Sequence, residues 1–317
     1  ELRWRAPQPM MPWSGVRLAT AFGSDCSQAP NDIEKIQTTP NEDCLYLNVW
    51  RPAQGAAGRT GESAGRKLPV LVWIHGGGFV GGGSSIPWYD GSKFAHDGIV
   101  VVSLNYRLGR LGFFAHPAIL ATGERPTGNF GFLDQIAALE WVQRNIAAFG
   151  GDPERVTIMG QSAGGASVLA LLTSPAAQDL FQQVVVLSGG GRDGLLSKPM
   201  TGGTEEHPSA DQIDRGFAEG LGIQGEDAET RAALRALPAA TVQGDVNLNK
   251  LAQVALLGDQ VYPGTQMVDG EIVSGQPGDI LAGDKAPAMP MLIGTTALDL
   301  PAFFPPSKLN PLAFFGE

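Results

Sequence analysis

The stretch that decides the fold is Gly160-Gln161-Ser162-Ala163-Gly164. It lies between an apolar run at residues 156–159 and a run of good helix formers at residues 166–172. A serine between glycines at a strand-to-helix turn is the arrangement called a nucleophile elbow, with the hydroxyl at the tip of the turn. The helix that follows directs partial positive charge and free N–H groups toward that oxygen. Glycine and serine also form ordinary loops, but this context favours a serine hydrolase.

A second glycine-rich stretch, His75-Gly76-Gly77-Gly78-Phe79, directly follows the apolar run at residues 70–74. Ester hydrolysis passes through a tetrahedral oxyanion that needs N–H donors already in place. Glycines let the backbone approach a substrate because no Cβ is in the way. The N–H of the residue after the nucleophile, here Ala163, completes such a hole. A glycine turn without a role is the alternative; the order of the two motifs favours an oxyanion loop.

Composition and charge exclude several function classes. The chain has 317 residues, of which 43% are hydrophobic and 17% charged, as in ordinary globular proteins. With 22 Lys and Arg against 32 Asp and Glu, the formal net charge is −10, which gives no support to a nucleic-acid partner. The longest apolar stretches, residues 70–74 and 99–102, are far too short to span a bilayer.

The order of elements along the chain predicts an α/β fold. Several strand-like runs are continuous in Val, Ile and Leu, which is typical of strands buried on both faces. Helical patterns alternate with them, most clearly at residues 132–149, and this alternation predicts a sheet covered by helices. We expect a single domain over residues 1–317, with a mostly helical, cap-like region at about 209–257. The predicted strands are residues 45–50, 70–75, 99–104, 156–159, 184–187 and 291–293, and the further helices are residues 166–172 and 228–237.

The ends and the two cysteines carry weaker signals. The chain starts at Glu1 without a methionine or a signal-type segment, and Phe315-Gly316-Glu317 offers no helix cap or strand pattern. Both ends are predicted to be cuts in a longer protein, so a missing signal peptide says nothing about the compartment. Cys26 and Cys44 are compatible with one disulfide or with two buried free thiols.

Three stretches together resemble one family. They are residues 42–50 (EDCLYLNVW), residues 75–79 (HGGGF) and residues 149–164, which run from FGGDP to GQSAG. The chain resembles the type-B carboxylesterases of the α/β-hydrolase fold, the group that includes the cholinesterases. Hormone-sensitive-lipase-type esterases share the second stretch and the GxSAG elbow but lack the first. The resemblance implies a central, mostly parallel sheet flanked by helices, with the C-terminal part of the fold missing from this chain.

The resemblance also assigns roles to residues. It makes Ser162 the nucleophile and the N–H groups of Gly77, Gly78 and Ala163 the oxyanion donors. It implies neither a metal nor a cofactor. The family places a loop-closing disulfide at Cys26 and Cys44.

Ion pairs are implied as well. Arg107 and Asp134 match a buried pair of the family, and a buried charge must be paired. We expect a similar partner for Glu42 in Arg3 or Arg5.

The triad acid should follow the serine in the chain, and the histidine should come later still. The family position of the acid is taken by Asp299, where a glutamate is more usual; a solvated loop aspartate is the alternative. The chain's histidines, His75, His96, His116 and His207, are all expected to be ordinary loop or surface residues. We therefore expect the base outside this chain, which would leave the chain about 10⁴- to 10⁶-fold less active than an intact triad.

The expected substrate is a small, neutral carboxylic ester. The segment between the two cysteines has no tryptophan, so the cation-binding aromatic platform of cholinesterases is absent there. Gln161 stands where cholinesterases carry a glutamate. Trp88 and Tyr89 line the entrance to the site or are packing residues. The expected location is secreted or periplasmic. The alternative functions are a non-catalytic, esterase-like binding or adhesion protein and, on the same scaffold, a lipase or amidase.

Overall fold

The computed structural model describes residues 2–53, 67–121, 128–189, 197–250, 266–283 and 286–296. Within them, eight strands form a six-stranded sheet in the order β1-β3-β2-β4-β5-β8 and a small parallel pair, β6 and β7. The strands are β1 (Leu47–Trp50), β2 (Leu68–Ile74), β3 (Val100–Leu104), β4 (Gly151–Gln161), β5 (Gln183–Leu187), β6 (Ser197–Pro199), β7 (Gln266–Val268) and β8 (Met291–Gly294).

Helices connect and cover these strands. Short 3₁₀ turns lie at Pro87–Tyr89, Ile146–Phe149 and Pro175–Ala177. The α-helices of the described residues are α1 (Ser92–His96), α2 (Gly109–Gly112), α3 (Pro117–Leu120), α4 (Phe130–Asn145), α5 (Ala163–Leu172), α6 (Ala210–Gly220), α7 (Ala228–Ala236), α8 (Ala239–Gln243) and α9 (Pro277–Ala282).

The main sheet is parallel except at one edge. β1 runs antiparallel to β3, whereas β3, β2, β4, β5 and β8 pair in parallel. All six strands that the sequence predicts in this sheet are present. The predicted architecture, a mostly parallel sheet flanked by helices, is confirmed.

Burial differs from strand to strand. Every residue of β3 is buried, as expected for a strand covered on both faces. β4 and β5 bury alternate residues, and the four residues of β8 are exposed. The expectation of burial on both faces therefore holds for β3 but not for β4, β5 and β8, which form the opposite half of the sheet. There, the described helices leave one face of β4 and β5 half-covered.

The helix predicted at residues 132–149 is present but changes geometry near its end. The α-helical part is Phe130–Asn145, and a 3₁₀ turn at Ile146–Phe149 completes it. Gly150 then adopts a left-handed conformation with φ +87°, which stops the helix before β4. The apolar stripe of this helix is buried in full and comprises Phe132, Ile136, Leu139, Val142 and Ile146.

The region predicted to be a helical cap contains α6, α7 and α8, and its last residues, 251–257, lie outside the described residues. One carboxylate of α6 ties it to the body of the protein, because Asp214 accepts a 2.6 Å hydrogen bond from the backbone N–H of Ala115. The Arg110 guanidinium lies 4.2 Å from the centre of the Phe217 ring. Division of the chain into domains stays a prediction. In the described parts of the chain, no helix has the length and apolar character that crossing a bilayer requires.

Candidate active site

The two glycine motifs meet because β2 and β4 are neighbours in the sheet. Ile74 at the end of β2 pairs with Gly160 near the end of β4. The chain therefore leaves both strands side by side at the same edge. β3 and β4 lie on opposite sides of β2, and in open α/β sheets the crevice at such a reversal is where ligands bind.

Ser162 sits on a strained turn. Its backbone has φ +56° and ψ −124°, a conformation that non-glycine residues adopt only when the surroundings enforce it. Two backbone hydrogen bonds of 2.9 Å do so, one from the N–H of Ser162 to Leu187 and one from the N–H of Ala166 to Ser162. The first ties the turn to β5 and the second begins α5. Ser162 is thereby fixed between strand and helix.

The glycines on either side of Ser162 are required by close backbone contacts. A Cβ on Gly160 would lie 2.3 Å from the carbonyl carbon of Gly164. A Cβ on Gly164 would lie 2.1 Å from the carbonyl oxygen of Ile74. Since real Cβ atoms do not approach other atoms this closely, only glycine fits at both positions. Close backbone packing is thus the reason that glycines flank Ser162 in this motif.

The second glycine stretch folds into a loop that packs on the nucleophile. Gly77 has φ +100° and Gly78 has φ +59°. The carbonyl oxygen of Gly77 accepts 3.0 Å hydrogen bonds from the N–H groups of Val80 and Gly81, which closes the loop on itself. A Cβ on Gly76 would lie 3.2 Å from the Cβ of Ser162. The loop and the serine are therefore in contact.

Aromatic packing anchors this loop from behind. Phe79 is fully buried although its φ is +61°. Its ring makes edge contacts with Phe113 and Phe132 at centroid distances of 5.2 and 5.9 Å. Such contacts stabilise the buried ring beyond its area alone. The side chain that ends the motif therefore holds the glycines in place.

The residue after the nucleophile begins a helix. Ala163 is the first residue of α5, and the N–H groups of a helix's first turn have no partner within the helix. Ala163 is completely buried, directly after Ser162. The assignment of Gly77, Gly78 and Ala163 as oxyanion donors stays a prediction.

A disulfide joins Cys26 and Cys44. We call residues 26–44 the disulfide loop. Its Gln28 side chain pairs with the backbone of Gly82: the amide NH₂ donates to the carbonyl at 2.7 Å, and the amide oxygen accepts from the N–H at 3.0 Å. Next to the loop, buried Asp25 accepts hydrogen bonds from the hydroxyls of Thr38 and Ser85. The disulfide loop is thus hydrogen-bonded to Gly82, which lies three residues after the glycine stretch at residues 75–79.

Glu34, which the sequence did not single out, lies at this junction. The Tyr89 hydroxyl donates to its Oε1 at 3.3 Å, while its Oε2 is buried without a hydrogen-bond partner among the described residues. Burial raises the pKa of Glu34 and also that of Tyr89. Tyr89 packs on Trp73 at 5.0 Å, whereas Trp88 is 63% exposed. No motif marks a glutamate in an irregular polar loop, so only the fold reveals it.

His75 has a structural environment. It is buried, its ring stacks on Tyr106 at 4.4 Å, and its Nδ1 lies 2.9 Å from the carbonyl oxygen of Gly76. Burial lowers the pKa of His75 to about 4, so its imidazole is neutral at pH 7.

The other three histidines have partners or surroundings of their own. His116 accepts a 3.1 Å hydrogen bond from the N–H of Ala118 at the start of α3. His96 lies beside Asp97, and His207 lies in an exposed turn closed by Thr204. Among the described residues, no hydrogen bond links a histidine to Ser162.

Two ion pairs expected from the resemblance are formed. The carboxylate of Asp134 accepts two 2.7 Å hydrogen bonds from the guanidinium of Arg107 and one of 3.0 Å from the backbone N–H of Arg107. This bidentate contact links the end of β3 to α4. Glu42 pairs with Arg3, whose Nε donates at 2.8 Å.

The acid proposed at residue 299, Asp299, lies outside the described residues. The described residues contain no group of three or more His, Cys, Asp or Glu side chains that could hold a metal ion. The expectation of a metal-free site stays a prediction.

The sheet order, the strained serine at the strand-to-helix turn and the glycine loop define an α/β-hydrolase. A sequence model described as Carboxylesterase family matches residues 1–310. The chain therefore belongs to the carboxylesterase family.

Individual relatives agree with this family. The chain is 45% identical over 205 residues to the fumonisin B1 esterase of Sphingopyxis macrogoltabida, covering 63% of this chain and 35% of that protein. It is 37% identical over 311 residues to the para-nitrobenzyl esterase of Bacillus subtilis, covering 96% and 58%. A solved structure of PNB esterase superimposes with a TM-score of 0.75 at 37% identity, again covering 96% of this chain and 58% of that one. The matched part of the chain thus covers between 35% and 58% of the length of these esterases.

Proposed function

We propose that this chain carries the nucleophile and the oxyanion hole of a serine hydrolase acting on carboxylic esters. The single observation that carries the proposal is the contact between the glycine loop and the strained serine, with a Cβ on Gly76 only 3.2 Å from the Cβ of Ser162. Family membership and the names of the relatives support the same reaction class.

In the proposed reaction, Ser162 Oγ attacks the ester carbonyl carbon and loses its proton to a general base. The carbonyl oxygen becomes an oxyanion that accepts hydrogen bonds from the N–H groups of Gly77, Gly78 and Ala163. The C–O bond then breaks, and the alcohol leaves with a proton returned by the base. Water hydrolyses the acyl-serine in a second cycle, which releases the acid and restores Ser162.

We propose that the base comes from outside residues 1–317, because all four histidines of the chain have other surroundings. Asp299 remains the proposed acid that orients this base. The proposed substrate is a small neutral ester, since Gln161 adds no charge beside Ser162 and the disulfide loop contains no tryptophan. The disulfide supports an oxidising compartment, secreted or periplasmic.

The test uses the product of the complete gene and the 317-residue chain side by side. We expect the complete product to react with a fluorophosphonate probe and to hydrolyse p-nitrophenyl acetate. Ser162→Ala should abolish both activities, whereas Ser92→Ala, which changes an exposed serine, should alter neither. A complete product that folds but neither labels nor hydrolyses would instead support a non-catalytic binding protein.

The same assay tests the origin of the base. We expect residues 1–317 alone to hydrolyse the ester about 10⁴-fold more slowly than the complete product. Equal rates that vanish in Ser162→Ala would place the base within the chain, and His207→Ala would then be the first variant to measure.

A further inference from the structure

The side chain of Gln161 lies next to the nucleophile at the end of β4. A Cβ on Gly76 would lie 3.2 Å from the Cβ of Ser162 and 3.3 Å from Oε1 of Gln161. Both side chains therefore meet the glycine loop at the same point. Gln161 and Ser162 are also both half-buried, so each keeps surface that solvent reaches.

The backbone of Gln161 is fixed independently of its side chain. Gln161 pairs with Leu187 in the ladder between β4 and β5. Its carbonyl oxygen would lie 2.7 Å from the same Cβ on Gly76. The side chain thus starts from a rigid position between β5 and the glycine loop, and groups presented by strands are placed more precisely than groups on loops.

The amide of Gln161 is uncommitted. Within the described parts of the chain it takes part in no hydrogen bond, and it is not among the buried polar atoms that lack a partner. The amide is therefore open to solvent, and a ligand at Ser162 can replace that solvent. Oε1 is the end of the amide nearer to Gly76, which leaves the NH₂ group, with its two N–H donors, farther from the loop.

We propose that Gln161 determines substrate specificity by donating a hydrogen bond from its side-chain NH₂ group to a second oxygen of the ester, close to the scissile bond. The inference rests on the proposed function and deepens it. In the proposed reaction, the N–H groups of Gly77, Gly78 and Ala163 are occupied by the oxyanion. Gln161 supplies the donor for the further oxygen. The substrate class is accordingly a neutral ester with a second acceptor oxygen, such as an alkoxy ester.

The chemistry of the amide selects this class. A plain alkyl ester that displaces solvent leaves the NH₂ group without a partner, and an unmet donor costs free energy. An uncharged amide also forms no ion pair with a cationic ester. A carboxylate in the place of Gln161 would accept hydrogen bonds without donating any, and it would repel the negative charge that develops on the ester oxygen. The amide therefore favours an ester that offers an extra oxygen.

Three esters of equal length test the proposal in the complete gene product. Butyl butanoate is the reference. In 2-methoxyethyl butanoate an ether oxygen replaces one CH₂ on the alcohol side, and in butyl methoxyacetate it replaces one CH₂ on the acyl side. The measured quantity is kcat/KM for each ether ester divided by kcat/KM for the reference, from titration of the released acid. The intrinsic reactivity of each ester cancels when a variant's ratio is compared with that of the wild type.

Variants assign the preference to Gln161. Gln161→Met keeps the length of the side chain without the N–H donors, and we expect it to lower one of the two ratios about three- to tenfold, the value of one hydrogen bond. Gln161→Glu keeps the oxygen but not the NH₂ group and should lower the same ratio equally. Gln224→Met, at an exposed glutamine between α6 and α7, is the matched control and should leave every rate unchanged. The fluorophosphonate labelling rate of each variant reports whether Ser162 remains correctly placed.

Two results would overturn the inference. One is a Gln161→Met variant with both ratios unchanged, because a residue that only supports the turn or the base slows all three esters by the same factor. The other is a Gln161→Glu variant that retains the wild-type ratios, since no side-chain donor then remains. Failure of the proposed function would look different, because butyl butanoate would not be hydrolysed at all and Ser162 would not be labelled.

Discussion

Backbone contacts fix the turn at Ser162, whereas side chains join the disulfide loop to the neighbouring glycine stretch. Around Ser162, Gly164 approaches a carbonyl oxygen so closely that a Cβ would lie 2.1 Å from it. In the disulfide loop, by contrast, the contacts to the glycine loop come from the amide of Gln28 and the carboxyl of Glu34. The difference teaches that two kinds of structural information meet at one site. Backbone contacts fix the conformation of Ser162, and side-chain contacts join the disulfide loop to Gly82.

The largest effect should follow from adding one methyl group at Gly164, next to the turn that carries Ser162. Gly164→Ala places a Cβ against the Ile74 carbonyl, where no side chain can move aside, and we expect a loss of at least about 4 kcal/mol of folding free energy. Gly216→Ala is the matched control. Gly216 lies inside α6 with nothing within 4 Å of its added Cβ, so a gain of about 0.5–1 kcal/mol is expected.

Chemical denaturation measures both values. If the free energy of unfolding of Gly164→Ala lay within about 1 kcal/mol of wild type, the loss would be that of a typical point substitution. Close backbone contact would then not be what requires glycine at this position.

A smaller effect should follow at Gly77, and it should appear in the rate. A Cβ there would lie 2.0 Å from the Gly81 carbonyl oxygen, and φ is +100°. Gly77→Ala must therefore shift the loop, and we expect kcat of the complete gene product to fall about 10²- to 10³-fold, as when one oxyanion donor is lost. Gly222→Ala is the control, because its φ is +75° but its Cβ meets nothing within 4 Å.

The control should lose about 1 kcal/mol of stability through backbone strain and keep its kcat. If both variants lose kcat equally, strain rather than displacement of the donors would be the cause.

What the sequence could predict follows the same division. The glycines around Ser162 and Gly77 are visible as motifs because backbone contact excludes every other residue at those positions. The strands were predictable since their apolar runs are continuous, although apolar composition did not distinguish fully covered β3 from exposed β8. Glu34 could not be found, because burial in an irregular loop depends on tertiary packing that leaves no periodic or motif signal.

Breaking the disulfide separates the two regions further. The double variant Cys26→Ser and Cys44→Ser frees a loop with a sequence separation of 18 residues. We expect a loss of about 3 kcal/mol in folding free energy, measured by urea denaturation. Below the unfolding transition, Ser162 in the complete gene product should still react with the fluorophosphonate probe, because its turn is held by Leu187 and Ala166. Loss of labelling in the folded variant would mean that the disulfide loop positions the nucleophile.

The smallest effect concerns His75, which directly precedes the three glycines at residues 76–78. Its folded-state pKa of about 4 lies below the ordinary value of 6.5, so the unfolded chain binds the proton more readily. The stability that depends on neutral His75 is therefore complete above pH 6.5 and is lost as the pH falls toward 4. Between pH 7 and pH 5 this amounts to about 2 kcal/mol. His75→Gln should remove that dependence.

Asp214 in α6 gives the opposite sign and thereby a control. Burial raises the pKa of Asp214 to about 7, so its contribution is complete below pH 3.8 and is lost as the pH rises toward 7. Asp214→Asn keeps an acceptor for the Ala115 N–H and removes the titration. Stability measured from pH 5 to pH 7 should therefore rise less steeply in His75→Gln than in wild type and more steeply in Asp214→Asn. Parallel curves for all three proteins would mean that neither group is buried as the structure shows.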